Sequence, residues 1–441
     1  MGEERAYPPA ASTRTSLAGD GTVTELRDSM ADAQGPIAFL RSPSTIRARC
    51  RELFDLGLAG QLDHFELRMD RLEKVVDRTI AVTRATYPLV IPRHSRWNHF
   101  RAGGVDRVAD FEARIAPMPI DEQARARFAL AITSVLLDAG AGPGWSYREP
   151  GTGQTFTRSE GLAVASYHMF VSGLFSGDPQ NPYRADADGL DRLDATTLGA
   201  ALQVSAHNPI VGLDGRTDLL GRLGSAMRAT PRLFGSAERG GPCLGRLFDA
   251  VLSRVEDGKL PARRILFAVL EGLGPIWPGR IQLLGVNLGD IWRHSKVTGP
   301  TITNGLVPFH KLSQWLTYSL IEPIERAGIE VVGTSELTGL AEYRNGGLFV
   351  DDGVIVPKHD GVLGKTHQSG DEVVVEWRAL TVALLDEVAR AMREKLGKTA
   401  DELPLAMVLE GGTWAAGRQA AKEKRKDATA PILVASDGTL F

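Results

Sequence analysis

An α+β fold that is predominantly α-helical is what this sequence predicts, and three observations predict it. Apolar residues recur at helical spacing through most of the first half of the chain, β-branched runs are few, short and late, and no Pro/Ser/Gly linker separates the two parts. The expected architecture is a helix-rich body with a hairpin-helix element and small late β-hairpins.

The elements follow in order. Ser42-Pro43-Ser44 is a helix start signal, followed by Ile46, Cys50, Leu53 and Phe54 on one face. Residues 62–86 place Leu62, Phe65, Met69, Leu72, Val75, Val76 and Ile80 at helical spacing. That helix must stop before Tyr87-Pro88, because the residue preceding a proline leaves the α region. A helix capped by Asp121 is expected over 121–137, with more over 158–174, 189–204, 215–228, 243–255 and 261–271. The longest late helices are expected over 306–327 and 377–396. Strands are expected at 330–332, 348–350, 354–356, 373–375 and 431–434, with Asp351-Asp352-Gly353 as a hairpin turn.

Residues 1–35 read as a disordered N-terminal tail, rich at its start in small and polar residues plus Pro. Residues 36–441 read as a single helix-rich catalytic domain, in one or two lobes. With 51 Lys plus Arg against 54 Asp plus Glu, the net charge is −3, so no bulk basic field for nucleic acid is present. Cys50 and Cys243 are too few for a disulfide scaffold and have no C-x-x-C partner. No apolar run of about 18 residues exists, and the opening segment lacks the apolar core of a signal peptide. The expected setting is therefore cytoplasmic, with no nucleic-acid and no membrane partner. The oligomeric state is left open.

Polar and aromatic residues concentrate in a few segments. Arg93 to Phe100 has no apolar period and reads as a loop, where His94, Arg96, Trp97 and His99 stand together. Arginine clamps phosphate and tryptophan stacks on planar groups; the competing reading wedges Trp97 into the core. In Leu137-Asp138-Ala139-Gly140-Ala141-Gly142-Pro143-Gly144-Trp145, the glycines allow close backbone approach to a ligand. An acid at a helix C-terminus opposes the helix dipole, so Asp138 calls for a partner or a ligand. Glu160 either binds substrate or merely favours the first turn of its helix.

A Gly-x-Gly hairpin between helices is expected at Gly272 to Gly274, with Asp290, Trp292 and Arg293 following where another helix begins. A carboxylate there either caps the helix or stabilises positive charge on a sugar ring. This order resembles the helix-hairpin-helix glycosylases. Glu342 and Arg344 precede a Gly pair that permits a turn, and Glu376-Trp377-Arg378 reads as a buried salt bridge. Glu410 to Arg418 reads as a helix with small packing residues. The nine His form no H-x-H or H-E-x-x-H, and there is no G-x-S-x-G elbow. No metal and no cofactor is expected.

Together, RHSRWNHF (93–100), LDAGAGPGW (137–145), RSEGLA (158–163), GVNLGDIWRH (285–294), LTGLAEYRNGGL (337–348), EWRALTV (376–382), LEGGTWAAGR (409–418) and SDGTLF (436–441) resemble one family. It is the uracil catabolism protein 4 family, long labelled as a domain of unknown function, and the resemblance covers about residues 36–441. More distantly, the chain is similar to queuosine nucleotide N-glycosylases, whose Asp-Tyr-Arg stretch falls where Asp290 to Arg293 stand. The resemblance implies a pathway that makes UMP from uracil, opens the ring and eventually yields urea, which requires breaking a C1′–N bond. It implies a hydrolase of the N-glycosidase type acting on a ribosyl or phosphoribosyl ureido substrate. Asp290 and Asp138 would then be the catalytic carboxylates. Arg96 and Arg293 would hold phosphate, and Trp97 or Trp292 would wall the ureido group. His94, His99, Glu160, Glu342 and Arg344 would complete the binding set. Two other readings stand beside it: an amidohydrolase acting on the ring-opened ureido chain, and a non-catalytic scaffold for pathway enzymes.

Overall fold

The computed structural model describes residues 35–236, 241–278, 280–299 and 302–435. Apart from Gly35, the expected tail over 1–35 lies outside the described residues, as does SDGTLF at the end.

The chain enters through α1 (Pro36–Arg41) and α2 (Pro43–Leu58), each starting on a proline whose missing N–H costs nothing in a first turn. Next come β1 (Phe65–Leu67), α3 (Leu72–Thr86), α4 (Arg96–His99), α5 (Arg107–Ile115) and α6 (Ile120–Leu136). The single helix expected over 62–86 is thus corrected. Residues 65–67 are a strand because the Phe65 N–H donates to the buried Glu376 carboxylate at 3.0 Å and the strand pairs with residues 355–357. Pro119, rather than Asp121, stands at the start of α6.

Hairpin β2 (Ser146–Arg148) and β3 (Thr155–Thr157) leads into α7 (Arg158–Val171). The helix expected over 189–204 is two, α8 (Ala187–Asp191) and α9 (Ala195–Ala201), because the Asp194 carboxylate accepts from the Thr197 N–H at 2.7 Å and starts a new one. There follow α10 (Leu213–Ala229), α11 (Leu247–Leu252), β4 (Lys259–Pro261) and α12 (Ala262–Leu273). Gly272 lies inside α12 against Phe234, so the Gly-x-Gly hairpin does not form there. A hairpin forms later, from β5 (Gln282–Leu283) and β6 (Val286–Asn287). After Asp290 the chain enters a strand, β7 (Ile291–Arg293), paired with β8 (Leu306–Pro308), and not a helix.

The last third begins with α13 (Lys311–Arg326), β9 (Glu330–Val332), α14 (Tyr343–Asp351) and β10 (Ile355–Pro357). Residues 348–350 are helical, correcting the expected strand. Asp351-Asp352-Gly353 ends α14: Gly353 takes φ 79° and the Val354 N–H returns to the Phe349 carbonyl, a helix-terminating turn and not a hairpin. Strand β10 pairs with β1, far away in sequence. Then come β11 (Thr366–His367), α15 (Glu372–Leu396), α16 (Leu405–Val408), a π-helical turn (Leu409–Thr413), α17 (Trp414–Lys424) and β12 (Leu433–Val434). Val373, Val374 and Val375 lie in the first turn of α15, all buried; burial overrides their β preference.

The 25-residue α15 packs against α2, α3 and α14, while α13 packs against α6 and α12, and α14 against α17. One large apolar core results, with a small second cluster of Phe39, Leu40, Leu288, Ile291 and Leu306. The π turn lies on α3: a methyl group at Gly411 would come within 2.9 Å of Ile91 and Thr83 side-chain carbons. Glycine therefore sets how closely the turn that carries Glu410 approaches its neighbours.

Candidate active site

The ends of these helices enclose a cavity of about 340 Å³, within the range of small-molecule sites. Asp138 enters it from the loop after α6, His94 and His99 from the loop and short helix α4, and Lys311 and Trp315 from the first two turns of α13. Glu342, Tyr343 and Arg344 come from the start of α14, Trp414 from the start of α17 and Arg158 from the start of α7. The wall is closed by residues of the 427–434 segment.

The glycine loop is held by a buried arginine. Arg216 donates to the carbonyls of Leu137 at 3.1 Å, Ala139 at 2.5 Å and Gly212 at 3.1 Å, and to that of Val211. Burial pushes its guanidinium down to about 10. This latch fixes Asp138 between two anchored carbonyls. The partner that its place at a helix C-terminus calls for is Arg96, whose Nη1 lies 3.2 Å from Oδ2.

Arg96 is fully buried behind the cavity wall. It donates to Ser134 Oγ at 2.6 Å, to the Ser159 carbonyl at 3.2 Å and to His99 Nδ1 at 3.2 Å. A guanidinium only donates, so Nδ1 must accept and the His99 proton resides on Nε2. Burial, and then the Arg96 charge, lower the His99 pKa, consistent with a neutral imidazole.

His94 is oriented from the other side. Its Nδ1 lies 2.6 Å from Glu410 Oε2, and Tyr87 Oη donates to Glu410 Oε1 at 3.0 Å. Burial works against ionisation of Glu410, but the hydrogen bond and charge of His94 outweigh it and lower the carboxyl. With Nδ1–H given to a carboxylate, a neutral His94 keeps its Nε2 lone pair as an acceptor. The ring stacks on Trp315 at 5.9 Å.

Lys311 and Glu342 have opposite tendencies. Burial lowers the Lys311 ammonium, with Glu342 and Asp138 pulling it back up, and burial raises the Glu342 carboxyl. Glu342 also caps α14, accepting from the Asn345 N–H at 2.6 Å and the Arg344 N–H at 2.7 Å. Three of the six described non-glycine residues in the left-handed region lie at this cavity or next to a residue lining it: Arg158 at φ 57°, His310 at 48° and Ala428 at 52°. Such conformations are sparsely populated and persist where surrounding structure enforces them, often at functional sites.

Of the residues singled out in the sequence, the structure brings His94, His99, Asp138, Glu342 and Arg344 to one cavity. The others do not line it. Trp97 is core, its Nε1 donating to the Ser319 carbonyl at 2.9 Å. Glu160 accepts from Arg418 at 2.5 Å, and that guanidinium lies over Trp414, so this pair backs the wall. Arg293 is exposed on β7. Trp292 is buried and donates to Asp290 at 2.8 Å.

Asp290 is enclosed by its partners. Both oxygens take Arg378, at 2.7 and 2.8 Å, and Oδ2 takes the Lys311 backbone N–H at 3.0 Å. Burial opposes its ionisation, but the Arg378 charge and these hydrogen bonds hold the carboxyl well below the usual range. It does cap a helix: α13, which starts at Lys311, and not one starting at itself. Sequence reasoning missed Lys311, Glu410, Trp315 and Trp414. Among the described residues, no three His, Cys, Asp or Glu side chains are grouped to hold a metal ion, and no helix is long and apolar enough to cross a membrane.

Comparison with known proteins finds relatives over nearly the whole chain. "Protein urg3" of Schizosaccharomyces pombe is 38% identical over 413 residues, covering 92% of this chain and 99% of that protein. "Uracil catabolism protein 4" of Lachancea kluyveri is 35% identical over 438 residues, again covering 92% of this chain and 99% of that one. Residues 39–441 match the family described as "Protein of unknown function (DUF1688)", and the chain belongs to that family.

Proposed function

We propose that this protein acts in uracil catabolism as a hydrolase of an N-ribosidic bond, converting phosphoribosylurea and water into urea and ribose 5-phosphate. The pathway rests on kinship with a relative named for uracil catabolism. The chemistry rests on one observation: Asp138, a carboxylate with one ion-pair partner among the described residues, shares a cavity with the Glu410-oriented His94 and with cationic side chains.

In the reaction the C1′–N bond breaks and a water oxygen bonds to C1′. Asp138 stabilises positive charge developing on the ribose ring. His94 Nε2 takes a proton from the water, and Glu342, whose raised pKa favours its acid form, gives one to the departing urea nitrogen. Arg158 and Arg344 hold the phosphate, in place of the expected Arg96 and Arg293, which do not line the cavity. Trp315 and Trp414 wall the planar ureido group. The catalytic role expected of Asp290 passes to Asp138, and Asp290 becomes a positioning residue for the first turn of α13.

The test is direct: incubate the purified protein with phosphoribosylurea and measure urea and ribose 5-phosphate. Release of both in equal amounts is expected, and loss of release in Asp138→Asn. No release by the wild-type protein, or an undiminished rate in the variant, removes the reading.

A further inference from the structure

Lys311 is a lysine in an unusual position. It lines the cavity from the first turn of α13, its Nζ lies 6.0 Å over the Trp315 ring, and among the described residues no carboxylate stands within ion-pair distance of it. Lys395 and Lys398, by contrast, are paired: Lys395 lies 2.6 Å from Asp77 and Lys398 lies 3.2 Å from Glu402. Three carboxyl groups, Asp138, Glu342 and Asp427, line the cavity with Lys311, and none of them forms an ion pair with it. Its backbone is fixed from below, because its N–H donates to Asp290 and the preceding His310, in the left-handed region, donates from Nε2 to the Leu40 carbonyl at 3.1 Å. Burial favours the neutral amine, and a neutral amine is a nucleophile toward carbonyl-level carbon. Among the groups lining the cavity, an amine has chemistry that Arg158 and Arg344 lack, since guanidinium stays protonated.

We infer that Lys311 is a catalytic nucleophile of this site, forming a transient imine with C1 of an aldose phosphate. The inference rests on the hydrolase reading and specifies its route. The Lys311 amine attacks C1′, the C1′–N bond to urea breaks, and the urea nitrogen takes a proton from Glu342. The ring oxygen then leaves C1′ as a hydroxyl, taking the proton shed by Nζ, and the lysine nitrogen becomes doubly bonded to C1′. Water, deprotonated by His94, adds to that carbon. His94 returns its proton to Nζ as the C1′–Nζ bond breaks, and the carbinol hydroxyl gives its proton to Glu342, so ribose 5-phosphate and the free amine form with both side chains restored. No oxidant or reductant is consumed.

Cyanoborohydride reduces such an imine to a stable secondary amine. With phosphoribosylurea present, the wild-type protein should gain one pentose phosphate on the peptide that contains Lys311. Labelling there should be roughly 10-fold or more faster than at the exposed Lys365. Lys311→Arg keeps a long side chain with N–H donors but removes the nucleophilic amine, and should lose the adduct and slow urea release by about 10²-fold or more. Urea release without any Lys311 adduct, or a wild-type rate in Lys311→Arg, overturns the inference and leaves the hydrolase reading standing. If the wild-type protein releases no urea, that reading falls, and trapping with ribose 5-phosphate alone decides the amine separately. Its open-chain aldehyde meets Lys311 with no C1′–N bond to cleave: selective labelling retains the nucleophile, and labelling no faster than at Lys365 removes it.

Discussion

Asp290–Arg378 and Asp138–Arg96 are both buried aspartate–arginine pairs, and they are built to opposite specifications. Asp290 accepts four hydrogen bonds, from the two Arg378 nitrogens, Trp292 Nε1 and the Lys311 N–H. A carboxylate has about four acceptor sites, so nothing is left over. Asp138 meets Arg96 through one nitrogen at 3.2 Å and faces a cavity. Saturation joins β7, α13 and α15 through the first pair, and incomplete pairing leaves the second with acceptor capacity facing the cavity, as its proposed catalytic role requires. Charge, burial and residue type are alike in both, so what separates structure from site is the count of unused acceptors.

The largest effect should therefore fall on stability at the saturated pair. Asp290→Ala leaves the Arg378 charge buried and uncompensated, at a cost of about 3–5 kcal/mol, read as a lower denaturant midpoint. The pH dependence has a definite sign. The folded carboxyl is depressed, so its stabilisation is fully present above the unfolded value of about 3.9 and is lost as pH falls toward the lower folded value. The gap between wild type and Asp290→Asn should stay constant above about pH 5 and narrow below about pH 3.9. A gap that narrows near neutrality would break the comparison.

At the other pair the loss should appear in turnover. Asp138→Asn keeps an oxygen for Arg96 but removes the charge facing the cavity. The rate should fall by about 10²–10³-fold, while the denaturant midpoint moves less than for Asp290→Ala. A large stability loss with normal turnover of the remaining folded protein would make Asp138 structural as well.

Half of this contrast was legible in the sequence. Asp138 stood out because an acid at a helix C-terminus next to a glycine run has few structural reasons to be there, and His94 and His99 because their segment lacks an apolar period. Lys311 was hidden inside a helix expected over 306–327. The actual helix starts at Lys311, after a strand ending at Pro308, and the break at Pro308-Phe309-His310 was the available signal. Glu410 looked like one more polar position in a glycine-rich helix, since nothing local reveals a π turn or a histidine more than 300 positions earlier. Asp290 misled because its partners Arg378 and Lys311 come from distant elements, and saturation is a property of the assembled fold.

Glu410→Gln sharpens the comparison on the imidazole side. Glutamine fills the same space but no longer offers a carboxylate to His94 Nδ1–H, so the base loses its orientation. A fall in kcat of roughly 10²-fold is expected, the low end of what general acid–base catalysis contributes, with KM nearly unchanged. Parallel loss of kcat and thermal stability would mean that Glu410 serves only to hold the π turn.

The smallest expected effect tests whether the cavity depends on how closely its helices approach. A methyl group at Gly417 of α17 would collide with the Arg344 carbonyl of α14, its carbon lying 2.8 Å away. Backbone cannot swing aside as the tip of a side chain does, so Gly417→Ala should push α17 from α14 at a cost of about 1–3 kcal/mol. These helices carry Trp414 on one side and Glu342, Tyr343 and Arg344 on the other, so the cavity wall should part between them. Asp138 and His94 sit on loops anchored elsewhere, by Arg216 and by the Ala406 carbonyl. KM should consequently rise by more than kcat falls. Equal loss of both would place the packing contact upstream of the whole site, and unchanged stability would show that the two helices have room to spare.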